Sequence, residues 1–275
     1  MATSWPSATI ADQPRAIGTV RLKAMQGRRG TEVAELRQSG SLKLVFPRAA
    51  PDLQAVIVNT AGGITGGDRF DIDLATGPEA RLCVTTQAAE RAYRAQPRQT
   101  GRLTSLAKIS SGARVDWLPQ ETILFDGCAL SRSLTVEMAK DATLLMVEPL
   151  VFGRAAMGEA LHSASFDDRI EVRRDGRLIY LDRTRLQGDV TAHLARAAVA
   201  DGAGAMATIL YVAGDAERHL SALRDLLDPT AGASLIRPGV LACRMLAPDS
   251  YLLRRSLIPA LPLLGGQDLP RPWMM

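Results

Sequence analysis

The sequence predicts a mainly β protein: a stacked-sheet, β-helix-like (solenoid-like) body with a small C-terminal α/β layer and a few helices. Three observations lead there. Apolar residues alternate at period two through most of the first two thirds, as in Phe70, Ile72 and Leu74 against Asp71 and Asp73, the pattern of strands with one buried face. One strand–turn–strand unit recurs: EARLCVTTQ (79–87), GARVDWLPQ (112–120) and DATLLMVEP (141–149). Each joins a turn residue, an alanine and an apolar strand, and each follows its own alternating strand, FDIDL, RLTSLAKI and SLTVEM. Ala80, Ala113 and Ala142 are 33 and 29 residues apart, a period suited to stacked rungs, although three ordinary meanders would leave a similar trace. Beyond about residue 190 helical spacing enters the pattern.

Residues 1–17 contain Pro6 and Pro14 among polar residues and read as a flexible N-terminal segment. Residues 18–275 read as a single domain, with 18–190 the β body and 191–275 the α/β layer, because no Gly- or Ser-rich linker separates them. TVRLKAMQG and TEVAELRQSGSLKLVFP are strands broken by Gly27 to Gly30, and AVIV (55–58) is a buried strand leading into the glycine-rich loop 61–68. QAAERAYRAQPRQTGR departs from the sheet, its Ala88, Ala92 and Ala95 near helical spacing until Pro97. RIEVRRDGRLIYLDR is a hairpin with Asp175-Gly176 at its tip.

In the last third, DVTAHLARAAVADG is a helix ending at Gly202 and AMATILYVAG a strand. DAERHLSALRDLLDP is an amphipathic helix capped by Asp215, with His219 on its solvated side. ASLIRPGVLACRML supplies two more strands. A final helix from Pro248 places Leu253, Leu257 and Leu261 on one face until Pro259 and Pro262 disturb it.

Composition narrows the function. The chain has 275 residues, 47% hydrophobic and 23% charged, with a formal charge of +4, as expected of a folded globular protein. Only four of the 33 basic residues are lysine, so forked arginine contacts outweigh diffuse charge. No block of like charge and no basic stretch interleaved with aromatics occurs, which argues against nucleic acid. No apolar run reaches spanning length, so no membrane segment is expected. Cys83, Cys128 and Cys243 are isolated and odd in number, and the N-terminus lacks the pattern of a secretory leader, which together point to the cytoplasm.

AGGITGGD (61–68) holds Gly62, Gly63, Gly66 and Gly67. A stand-alone enzyme binding a phosphorylated ligand at this loop is the alternative reading, since glycine-rich turns after a strand can present amides to anions. Against it, no GK[ST] follows and the next element is a strand instead of a helix, so a structural loop is the better reading. GxSxG and HExxH are absent, which leaves catalytic residues unassigned and speaks against an enzyme. The polar set of most interest is acidic: Asp68, Glu121, Asp126, Glu148, Glu159 and Glu171. Glu148 adjoins an apolar run and Glu121 follows WLPQ, where a carboxylate is costly unless paired, with Arg91 and Arg154 available as partners; ion pairs and metal handling both fit.

NTAGGITGGDRFDIDL, TTQAAERAYR, WLPQETILFDG, EPLVFGRAAMGE and the closing APDSYLLRR…LPRPW strongly resemble the urease accessory protein UreD family, called UreH in some organisms. The motifs run in family order from about Gly18 to Trp273. The resemblance implies a mainly β, helical-sheet fold and a chaperone-like, non-enzymatic role in metallocenter assembly. Such proteins bind apo-urease and, through UreF, recruit the GTPase UreG, so that nickel is inserted into the urease active site; an internal channel is implied for the metal. Position by position, Asp68, Glu121, Glu148, Glu159 and Glu171 match family acids and are candidates for weak, transient Ni²⁺ contact, with no tightly bound cofactor. Cys128 stands where the family has a small residue and is not read as a ligand. Arg91, Tyr93 and Arg94 match AAExxYR and are partner-binding candidates.

Overall fold

The computed structural model describes residues 14–47 and 52–274. Most of the N-terminal segment 1–17 lies outside the described residues. β1 (Ile17–Gly27) and β2 (Gly30–Gly40) form an antiparallel hairpin, and β3 (Leu42–Val45) pairs antiparallel with β4 (Leu53–Asn59). From β4 the chain winds: β5 (Arg69–Thr76), β6 (Arg81–Thr86), short β7 (Glu90–Ala92), β8 (Gly101–Ile109), β9 (Arg114–Leu118), short β10 (Thr122–Leu124), β11 (Ala129–Met138), β12 (Thr143–Phe152) and β13 (Ala164–Arg174). β5, β8, β11 and β13 are parallel neighbours in one sheet, and β4, β6, β9 and β12 in a second. Each circuit therefore visits both sheets and returns one position along, a β-solenoid of about four turns. The recurring units of the sequence are its rungs.

The bends explain the repeated alanine. Ala80 and Ala113 are fully buried and Ala142 nearly so. Arg114 N donates to Ala80 O and Thr143 N to Ala113 O, each at 2.9 Å, so successive bends are bonded rung to rung. β7, β10 and the end of β12 make a third parallel strip where the chain returns to the first sheet.

Antiparallel strands flank the parallel body. β14 (Arg177–Gly188) folds back on β13, with Asp175 and Gly176 at φ 48° and 75° in the left-handed conformation that a two-residue hairpin turn requires. After α1 (Val190–Leu194), β15 (Ala205–Val212) joins β12, and beyond α2 (Ala216–Asp225) come β16 (Ala231–Arg237) and β17 (Val240–Ala247), giving the order β12-β15-β17-β16. The α/β layer thus continues the second sheet, and α2 and α3 (Ser250–Gly265) pack on its outer face.

Two cores result. One fills the space between the sheets with Phe70, Ile72, Leu134 and Phe166; the other lies under the helices with Ile209, Leu223, Leu257 and Leu261. β12 contributes to both, Leu144, Met146 and Leu150 inward and Leu145, Val147 and Val151 outward. A strand covered on both faces reads as a continuous apolar run.

Five local expectations differ. The helix expected to reach Gly202 stops at Leu194; Val190 and Leu194 face the core but residues 195–199 are exposed before Ala200 returns to it, and so short an apolar stripe sustains little helix. Asp215 leads α2 without capping it, because its carboxylate accepts from Tyr211 Oη at 2.9 Å and contacts His219 Nε2 at 3.4 Å. His219 is accordingly packed edge-on against Tyr211 and half-buried instead of fully solvated. α3 continues through Pro259 and Pro262, its inner face of Leu253, Leu257, Leu261 and Leu264 buried, so packing outweighs the lost amide donors. The alanines at helical spacing near residue 90 surround strand β7, where Ala92 is buried.

Candidate functional site

Strand alternation places four side chains between the sheets at positions otherwise apolar: Trp117 on β9, Arg132 on β11, Glu148 on β12 and Asp168 on β13. Arg132 and Asp168 are register partners, and the guanidinium meets the carboxylate as a fork, Nε to Oδ1 at 2.9 Å and Nη2 to Oδ2 at 2.6 Å. Nη1 donates to Thr122 Oγ1 at 3.1 Å. It also lies 2.7 Å from Glu148 Oε2, yet it is not aligned on that oxygen, which receives no hydrogen bond. Glu148 Oε1 accepts from Trp117 Nε1 at 2.8 Å.

Arg132, Glu148 and Asp168 are 7%, 5% and 5% exposed, so one guanidinium faces two carboxylates in the interior. Burial opposes the charge on Arg132, but Asp168 and Glu148 outweigh it and hold the group more firmly protonated than an ordinary arginine. Burial, with Asp168 beside it, pushes the Glu148 carboxyl up against the pull of Arg132 and Trp117.

A cavity of about 50 Å³ opens beside this cluster, its polar lining including Gln120, Thr122, Arg132, Glu148 and Glu90. That volume holds roughly three or four waters. Glu90 is the register partner of Thr122 across β7 and β10. Burial pushes its carboxyl up, against a 3.1 Å hydrogen bond from Asn59 Nδ2.

Of the five candidate acids for Ni²⁺ contact, only Glu148 lines this cavity. Asp68 is buried in the glycine loop, where Oδ1 accepts from Ala16 N and Oδ2 from Thr65 N, both at 2.8 Å. Glu121 is paired with Arg254. Glu159 is held in a fork by Arg154, Nε and Nη2 each at 2.8 Å, which lowers its pKa. Glu171 faces outward on β13 between Arg173 and Arg169, and Arg173 first and foremost draws its pKa down. Reasoning from sequence missed Arg132, Asp168, Trp117 and Glu90. The signal was present for two: Arg132 shares parity with Leu130, Leu134 and Val136, and Asp168 with Phe166, Ile170 and Val172, so each is a charge in an inward phase.

The glycine loop spends most of its amide donors internally. Gly62 N bonds Asn59 O, Ile64 N bonds Arg91 O, and Asp68 N bonds Thr65 O. With the Asp68 carboxylate already seated on the Thr65 amide, the loop is poorly suited to an anion. Gly63 lies against the Tyr93 ring and Arg91 O. Tyr93 also meets Phe125 edge-on at 4.9 Å, Arg154 covers the other ring at 4.4 Å, and Arg94 pairs with Asp126 at 2.7 Å. Arg91 and Arg94 are exposed and Tyr93 is 37% exposed, so the three partner-binding candidates lie on one surface beside the glycine loop.

Among the described residues no group of three or more His, Cys, Asp or Glu side chains is gathered as a metal site, and no helix is long and apolar enough to cross a membrane. Cys128 and Cys243 are buried and Cys83 half-buried, all as free thiols.

The model of the family described as UreD urease accessory protein matches residues 16–274. A urease accessory protein UreD of Roseobacter denitrificans is 51% identical over 269 residues, covering 98% of each chain. The one from Ruegeria pomeroyi is 56% identical over 239 residues, 86% of this chain and 93% of its own. That of Rhizobium rhizogenes is 43% identical over 269 residues, 97% of both. The chain belongs to the UreD family of urease accessory proteins.

Proposed function

We propose that this protein is a nickel-delivery scaffold of urease maturation, acting without catalysis of its own in the cytoplasm. In this reading it binds apo-urease and UreF and, through UreF, the GTPase UreG. The exposed Arg91, Tyr93 and Arg94 belong to the partner-docking surface. Nickel is cargo here, touched briefly and not retained.

One observation carries the nickel part: the interior cavity lies among carboxylates that outnumber the guanidinium beside them. Oxygen ligands without histidine or thiolate hold a first-row divalent cation weakly, which suits transfer better than storage. Glu148 is the acid of this reading that faces the cavity. Asp68, Glu121, Glu159 and Glu171 support it as structural acids, since each already has amide or arginine partners. The phosphate-binding alternative is disfavoured by the loop amides already bonded to the chain.

The test is co-expression of the chain with its own urease subunits, UreF and UreG, reading soluble complex and nickel per urease active site. A recovered complex with nickel that falls when Glu148 is replaced by Gln supports the proposal. Equal nickel with and without the chain overturns it.

A further inference from the structure

The charges around the cavity do not balance. Glu148 and Asp168 flank one internal cation, Arg132, and Glu90 lines the same cavity, while Arg91, the arginine that acts on Glu90, lies on the exposed surface. Burial of net charge is costly, and here its cost is visible in one atom. Glu148 Oε2, on a residue 5% exposed, has the Arg132 guanidinium 2.7 Å away and no hydrogen bond from it or from anything else.

We infer that Arg132 is a tethered counter-cation that locks a latent divalent-cation site between Glu148 and Asp168. A first-row divalent cation occupies that pair only when the guanidinium is displaced. Two carboxylates and a dication sum to zero, whereas two carboxylates and a guanidinium leave one negative charge. Thr122 Oγ1, now 3.1 Å from Arg132 Nη1, and cavity water supply further oxygen ligands. The displaced guanidinium has a destination, because Thr122 stands between it and Glu90: its hydroxyl takes Nη1 and its backbone is paired with that of Glu90. With Arg132 on Glu90 and a dication on the other two acids, the interior is neutral. The inference rests on the reading of the protein as a nickel carrier for its purpose, but the site itself is argued from charge and geometry.

The experiment uses the full chain, stripped with chelator, and needs no urease. Arg132→Met removes the tethered cation while leaving an apolar stem of similar length. Free Mn²⁺ is followed by its electron paramagnetic resonance signal, and melting temperature is recorded with and without Mn²⁺ or Ni²⁺. The expected result is that Arg132→Met binds one Mn²⁺ per chain at least tenfold more tightly than the wild type. Its lowered melting temperature should recover with either metal, and adding Glu148→Gln should abolish both effects. Where Arg132→Met does not fold unaided, refolded yield against metal concentration gives the same reading, rising for the single variant and flat for the double. No added Mn²⁺ binding, binding indifferent to Glu148→Gln, or recovery by acid alone overturns the inference. Such a failure leaves the delivery role standing, since that role is read separately from nickel in urease.

Discussion

Arg254 on α3 and Glu121, in the bend between β9 and β10, meet across 133 residues of chain, Nε to Oε1 at 2.5 Å. Nη2 donates to Gln120 Oε1 at 2.8 Å, and Gln120 in turn bonds Thr86 O at 3.1 Å. The same guanidinium lies 5.3 Å from the Trp273 ring, whose indole donates to Leu118 O at 2.9 Å. One arginine thereby ties the C-terminal segment to a bend of the solenoid that also walls the cavity.

Replacing Arg254 by Ala is expected to cost about 3–5 kcal/mol in urea unfolding, because it leaves Glu121 charged and buried without its partner. Adding Glu121→Gln should return part of that loss by removing the stranded charge. A single-variant loss below about 1 kcal/mol, the range of an exposed pair, would show that the contact carries little.

Asp68 closes the glycine loop onto the entry to β1. Asp68→Ala strips the acceptor from the amides of Ala16 and Thr65, at a cost on the order of 2 kcal/mol for donors left poorly satisfied. Hydrogen exchange at those two amides should accelerate more than at the Phe70 amide in β5. Asp68→Asn, which keeps one carbonyl oxygen, should fall between Ala and wild type; equal exchange in all three proteins would deny the loop-closing role.

Gly62 and Gly63 are adjacent but predict different outcomes. A Cβ at Gly63 would sit 2.2 Å from the Tyr93 ring and 2.8 Å from Arg91 O, whereas at Gly62 it meets open space and only the positive φ of 77° resists it. Gly63→Ala should cost about 1–3 kcal/mol by displacing packed groups and change Tyr93 fluorescence or ring NMR shifts. Gly62→Ala should cost about 1–2 kcal/mol through backbone strain alone and leave the ring signals in place.

The solenoid was legible because its information is periodic and local. Ala80, Ala113 and Ala142 marked the bends, and alternation around Phe70, Ile109 and Val136 marked the strands between them. The charged interior was less legible for a physical reason: Arg132 and Asp168 become neighbours only through the parallel register of β11 and β13, and Glu148 joins them only across the two sheets. Glu148 adjoins the apolar run ATLLMV and is followed by Pro149, so nothing local marks it as the middle of a strand. β12 runs on to Phe152, and Pro149 falls where its neighbour changes from β9, paired as far as Met146, to β10, paired from Leu150. At that gap an amide donor is dispensable, which lets the strand carry Glu148 at its middle with both faces covered.

Asp116 offers a pH test of the helix-covered face of the second sheet. It is paired with Arg114 at 2.9 Å, yet burial outweighs Arg114 and pushes its pKa from 3.8 to about 6. The folded state therefore binds this proton more tightly than the unfolded chain does. The stabilisation from protonated Asp116 is complete below about pH 4 and is lost as pH rises through about 6, on the order of 3 kcal/mol at 1.36 kcal/mol per unit. Asp116→Asn removes that titration, so the stability of the variant relative to wild type should grow between pH 4 and pH 6.5 and then level off. Taking the difference cancels carboxylates such as Glu159, whose lowered pKa gives the opposite slope. A difference that stays flat across this window would mean that Arg114 compensates the buried charge fully and that Asp116 is ionised throughout.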